Sequence, residues 1–355
     1  MTLKRKENKK LMKKFNFLML ITLTLLLLAA CSAKTEEKAS GDKQDIDKDL
    51  IAAKEKFSVL GEVPIPDDNP MSDEKIELGK KLYFDPRLSG DNSISCMTCH
   101  LPNEGFGDGQ ATFTGFGGVE GTRNSPTIIN SGYYQEFFWD GRASSLEEQA
   151  LGPITAEVEM NQDLDELVDK LEAIPAYVEE FQTVFNSGIT VENIAKALAA
   201  FQRTIVVTDT AFDRYLLGDD DAISKEAKEG MKLFVGKAGC ISCHDGPKLT
   251  NHDYHNTGIE GDDGRFEVTN KEEDKGKFRT PGLRALTHTA PYMHDGSLAT
   301  IEDVVNFYNV GGGNDPNKDE LIKPLGLTKE EIDQLVAFLE TMSGEVPEIS
   351  IPTLP

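Results

Sequence analysis

The chain has 355 residues, 61 acidic against 37 basic side chains, and a formal charge of −24 at pH 7. That balance excludes a nucleic-acid surface and repels anionic lipid, and the length suggests two domains.

Residues 1–30 read as a lipoprotein signal peptide. Lys4, Arg5, Lys6, Lys9, Lys10, Lys13 and Lys14 form a basic start, an apolar run follows from Phe15 to Ala30, and "LAAC" ends at Cys31. Cys31 is then the acylated residue, and the lipid is the only contact with a membrane. A single spanning helix is the competing reading, but the run is short for one. The expected address is the cell envelope, at the periplasmic face or the outer surface. Residues 31–50 are charged, lack aromatics and read as a flexible tether. Removing residues 1–30, with seven basic and one acidic side chain, leaves a body of net charge −30. Such a surface suits a small basic electron donor, and equally serves solubility.

"GEVPIPDDNP" (61–70) is an extended lead-in, and "DEKIELGKKLYFD" follows as a helix with Ile76, Leu78, Leu82 and Tyr83 apolar. Then comes "CMTCH": Cys96, Cys99 and His100. A second such string, "CISCH", places Cys240, Cys243 and His244. Cys-x-x-Cys-His is the attachment pattern of a c-type haem. Two thiols one helical turn apart share a face and can add across the two vinyl groups of one porphyrin. The adjacent His is then held under the iron. A structural zinc site is the rival, since Cys-x-x-Cys is half a zinc knuckle. Two covalently bound haems and one lipid account for all five cysteines.

The chain repeats itself. Gly79-Lys80-Lys81-Leu82-Tyr83 matches Gly230-Met231-Lys232-Leu233-Phe234, each ahead of a haem string. Residues 189–204 match 327–342, both at helical spacing, the latter opening on a Thr328/Glu331 capping box. Each half runs helix, haem string, long insert, closing helix. The expectation is an all-α, loop-rich protein: two cytochrome c-like haem domains in tandem, over 51–210 and 211–345, with a tail at 346–355.

The strings "LGKKLYFDPRLSGDNSISCMTCH", "GTRNSPTIINS", "FFWDGRASSLEEQALGPI", "LTNHDYHNTG" and "LTHTAPYMHDGSLATIEDVV" occur in order. With them, the stretch from Pro64 to Gly344 resembles the bacterial di-haem cytochrome c peroxidases, including their MauG-type branch. The resemblance implies a peroxidatic first half, with Trp139, Gln149 and Glu159 as its site residues. Glu159 would shuttle a proton between the peroxide oxygens, and burial would raise its pKa. Gln149 would hold the outer oxygen. Trp139, the only Trp, would relay electrons between the haems; a lone Trp otherwise simply packs.

Two departures stand out. Where peroxidases of this family that need reductive activation carry a distal His, counting back from Arg123 and Asn124 gives Phe116, which cannot ligate iron. The first haem is therefore expected open to peroxide at rest. On the second haem the usual distal Met falls on Tyr308, as in MauG-type enzymes, with Met293 as the rival ligand. A phenolate favours higher oxidation states of iron, and a thioether the ferrous state. The resemblance also implies one Ca²⁺ between the domains, on the Asn124 side chain and the Thr289 and Pro291 carbonyls. His255, His294 and Arg284 are expected near the second haem as propionate or outer contacts.

The expected function is reduction of hydrogen peroxide to water with electrons from a small protein such as a cytochrome c. MauG-type oxidation of a partner protein's side chains is the alternative, and a non-catalytic electron carrier the third. No nucleic acid is expected, and a homodimer is left open.

Overall fold

The structure, a computed structural model, describes residues 47–355. The signal, Cys31 and nearly all of the tether lie outside the described residues. Residues 48–355 form one compact unit. It is helical and loop-rich; among the described residues the one sheet is a two-stranded antiparallel pair, β1 (Tyr254–His255) with β2 (Phe278–Arg279).

The described residues open with α1 (Lys48–Lys54), α2 (Asp73–Phe84) and the single-turn α3 (Cys96–Cys99). Next come α4 (Leu146–Thr155), α5 (Leu164–Glu172), α6 (Pro175–Phe185) and α7 (Val191–Gln202). The rest holds α8 (Ala211–Leu216), α9 (Lys225–Val235), α10 (Phe266–Thr269), α11 (Ile301–Asn309) and α12 (Lys329–Glu340). Most of the longer helices start at a side-chain cap. Ser72 accepts from Lys75 N–H, Ser145 from Glu148 N–H, and Thr190 from Asn193 N–H, each filling a donor the first turn leaves open. The Thr328/Glu331 capping box forms on α12.

Two apolar clusters organise the unit. In the first, Leu78 and Leu82 of α2 meet Ile194, Leu198 and Phe201 of α7. In the second, Met231 and Phe234 of α9 meet Leu335 and Phe338 of α12. The repeated glycine has one physical cause in both. A Cβ on Gly79 would lie 1.9 Å from the Ala197 carbonyl oxygen, and one on Gly230 would lie 1.9 Å from that of Gln334. Only glycine lets the helix backbones approach so closely.

The ends of the unit are exchanged. Phe57, just after α1, packs its ring 5.1 Å from Phe212 and 5.9 Å from both Phe234 and Phe338, inside the second cluster. Val346, Ile349 and Leu354 of the tail pack on the first cluster, and Arg87 Nη1 donates to the Pro355 carbonyl at 2.9 Å. Thus Lys48–Leu50, read as the end of a tether, open a helix, and residues 51–57, grouped with the first half, join the second core. Apolar contacts at Ala53 and Phe57 decide it.

Candidate active site

Each haem string is a single tight turn followed by an oriented imidazole. In the first, Ser95 N–H donates to Thr98 Oγ1 at 3.1 Å, and His100 N–H closes the turn on Cys96 O at 3.0 Å. His100 Nδ1 lies 3.1 Å from Phe106 O. A carbonyl can only accept, so Nδ1 carries the proton and Nε2 the lone pair. In the second, His244 N–H meets Cys240 O at 2.9 Å, and Nδ1 donates to Leu249 O at 3.0 Å. Burial keeps both rings neutral, lowering His100 and taking His244 to about 4. The four cysteines are free of disulfides, and burial pushes Cys96, Cys99 and Cys240 up to about 12. A zinc site needs four converging donors, whereas no three His, Cys, Asp or Glu converge on a metal position among the described residues. Paired thiols beside an imidazole with a directed Nε2 fit a covalently held haem.

A cavity of about 1050 Å³ opens beside the first string. His100, Cys99, Trp139, Gln149, Pro153 and Glu159 all line it. Ser145 fixes the start of α4, which carries Gln149 after one turn and Pro153 after two. Glu159 follows on a turn that closes Glu159 N–H on Ala156 O at 3.0 Å. Phe116 N–H donates to Glu159 O at 2.9 Å, so the position of the missing distal His adjoins the carboxylate's own backbone. The Phe116 side chain packs against the first core. Burial raises the Glu159 carboxyl above the usual range, and the Arg142 cation offsets part of that. Arg142 sits 3.5 Å from the centre of the Phe138 ring and bonds Asp140 at 2.8 Å. It lines the cavity, and the sequence reading passed over it.

Trp139 joins the halves. Its Nε1 donates to Asn124 O at 2.9 Å, and Arg279 N–H donates to Trp139 O at 2.8 Å. The His294 ring lies 6.4 Å away edge-on and stacks on Phe278 at 3.6 Å. This reveals a third repeat. Phe137 bridges to Ala143 as Tyr292 bridges to Leu298. Phe138 and Met293 hold φ of +66° and +74°, and Gly141 and Gly296 hold +70° and +64°. The segments are one turn used twice, so Trp139 and His294 correspond, as do Gln149 and Val304, and Pro153 and Tyr308. The shared Asp-Gly in "WDG" and "HDG" was the available signal.

Tyr308 rides on α11, whose start Thr300 and Asp303 cap reciprocally. Burial and the Cys240 and Cys243 thiols push its phenol well above the ordinary range, which sets it beside the second string. Met293 occupies the turn position that Phe138 holds in the first half. His255 bonds Asp319 at 2.6 Å and faces Cys243. Asn124 N–H donates to His294 O at 2.7 Å, and its Nδ2 donates to Gln110 O at 2.9 Å, which leaves Oδ1 as the oxygen available to a cation. With the Thr289 and Pro291 carbonyls the donors are all oxygen, the type Ca²⁺ takes. Arg284 Nη1 bonds the Asp213 carboxylate at 2.8 Å, and its Nη2 is buried with no protein partner.

Two haem strings, one cavity flanked by a carboxylate and an amide, and an indole between the halves define a c-type haem oxidoreductase. A profile of the family described as di-haem cytochrome c peroxidase matches residues 73–221. The methylamine utilization protein MauG of Methylorubrum extorquens is 42% identical over 334 residues, 92% of this chain and 94% of that one. Cytochrome-c peroxidase IdrP1 of Denitromonas iodatirespirans is 41% identical over 375 residues, 94% of this chain and 96% of that one. A solved MauG-like protein associated with microbial copper homeostasis superposes with a TM-score of 0.75 at 33% identity, covering 81% of this chain and 94% of that one. The chain belongs to the di-haem cytochrome c peroxidase family, is an oxidoreductase, and by that membership carries two c-type haems.

Proposed function

We propose that the protein reduces hydrogen peroxide to water, drawing two electrons and two protons per peroxide from a one-electron donor and solvent. The observation that carries this reading is Glu159 and Gln149 facing the cavity that His100 enters. Cys96, Cys99 and His100 would hold one haem, and Cys240, Cys243, His244 and Tyr308 the other. When bound, the haems supply the metal site and the electrons for cleaving the O–O bond. Glu159 takes the proton from the inner peroxide oxygen and returns it to the outer one; its raised pKa suits both roles. Gln149 donates a hydrogen bond to the outer oxygen. Trp139, touching His294 across the halves, is the relay between the two sites. A Ca²⁺ on Asn124, Thr289 and Pro291 would tie the halves beside it. The acidic body suits a small basic donor such as a cytochrome c, and the leader ending at Cys31 supports export as a lipid-anchored protein. Peroxide turnover by the Glu159→Gln variant is the test. Undiminished turnover would remove Glu159 from the mechanism, and an optical spectrum unmoved by peroxide would favour the electron carrier.

A second reading keeps the site and changes the reductant to side chains of a partner protein. Tyr308 beside the second string favours it, because an oxygen donor stabilises oxidised iron. Mass spectrometry for oxidised Trp or Tyr in co-purified proteins separates the two.

A further inference from the structure

Three cations are buried beside the second haem string with one carboxylate bonded to them among the described residues. Lys248, Arg279 and Arg284 are 5%, 6% and 2% exposed. Lysine and arginine are almost never buried so fully unless paired. Arg284 donates from Nε to Pro247 O and from Nη1 to Asp213 Oδ2, both at 2.8 Å, while Nη2 is buried with no partner. Arg279 reaches the Phe138 and Thr280 carbonyls, at 3.4 and 3.5 Å, and lies 3.9 Å over the Tyr134 ring. Lys248 sits 4.7 Å from the centre of the same ring. Asp213 is the carboxylate bonded to this group among the described residues, so three positive charges against one negative leave two uncancelled.

The surroundings respond to that excess. Burial, then the neighbouring Arg279 and Arg284, lower the Lys248 ammonium. Burial alone would raise the Tyr134 phenol, yet Lys248 and Arg279 bring it down to about 8. Its oxygen also accepts Gly282 N–H at 2.8 Å. His252 Nδ1, on a ring 6.2 Å from Tyr134, is a further buried atom with no partner.

The location indicates the anion. Pro247 and Lys248 lie between His244 and Leu249, whose carbonyl orients the His244 ring. Arg279 and Tyr134 also line the cavity that His100 enters. We propose that Lys248, Arg279 and Arg284 form a buried carboxylate-binding pocket that takes the propionates of a porphyrin. One porphyrin carries two such carboxylates, which matches the uncancelled charge, and guanidinium groups bind carboxylates by paired donors. The inference rests on the haems of the family and is independent of peroxide turnover.

The test uses the haem-loaded protein and its Lys248→Met and Arg279→Met variants, with Lys248→Gln and Arg279→Gln in place of any that fails to load. Resonance Raman reads the propionate bending band of each haem, and spectroelectrochemistry reads each midpoint. The expected result is a moved bending band on one haem, with its ferric-to-ferrous ratio at fixed potential raised about tenfold, because a nearby cation favours the reduced charge state. Movement on the low-spin haem assigns the pocket to the His244 porphyrin, and on the high-spin haem to the His100 porphyrin. Tyr134→Phe, which keeps every cation, leaves the band in place. Loaded variants that lose thermal stability while both bands and midpoints stay as in the parent would overturn the proposal. Slower turnover with an unmoved band would bear on Glu159 and leave the pocket refuted.

Discussion

The two halves use one turn and one helix to different ends. Residues 137–141 and 292–296 share their backbone path, and each leads into a capped helix. In the first half that helix offers Gln149 and Pro153 to a cavity of about 1050 Å³. In the second it offers Val304 and Tyr308, a phenol whose pKa is pushed up by its burial and by the Cys240 and Cys243 thiols. A ring that cannot ligate thus stands where its counterpart carries a phenol. Duplicated scaffolds divide labour by such single side chains, with the fold held constant.

The sharpest way to break the comparison is to remove one polar group from each half. Glu159→Gln should cut peroxide turnover about 10²–10⁴-fold by steady-state assay, with both haems' resting spectra unchanged. Tyr308→Phe should do the reverse to the spectra: low-temperature EPR should show the second haem's low-spin signal replaced by a high-spin one. Next come the helix crossings. Gly79→Val and Gly230→Val should each cost about 1–3 kcal/mol or more in thermal unfolding, and by similar amounts, because each Cβ meets a carbonyl at 1.9 Å. A smaller effect concerns pH. The proposed role of Glu159 as a base requires its ionised form, so on that proposal the peroxide reaction rises with pH through a pKa above the ordinary carboxylate range. Arg142→Ala removes the cation that holds that pKa down, so the inflection should move upward by about one unit or less. Smallest is Thr328→Ala, which should lose about 1 kcal/mol on removing the α12 capping box.

The sequence disclosed the parts whose chemistry demands a fixed spacing. Cys96 to His100 and Cys240 to His244 are such parts, and so are α2, α7 and α12, whose apolar period follows from a helix packing one face. The exchanged ends were hidden, because Phe57 reaching Phe212 leaves no local pattern. The third repeat was also hidden: its likeness resides in φ angles, and its two copies share little beyond Asp-Gly. Lys248 and Arg279 stayed hidden too, since nothing in a sequence marks a charged residue as buried, and Arg284 was singled out only through the family resemblance.

Those exchanged ends carry a consequence for maturation and turnover in the cell. Residues 346–355 are made after both cores, yet Val346, Ile349 and Leu354 pack on the apolar cluster of the half that was made first. Proteolytic loss of residues 346–355 therefore bares apolar surface on the first cluster, and damage at one extremity registers at the opposite one.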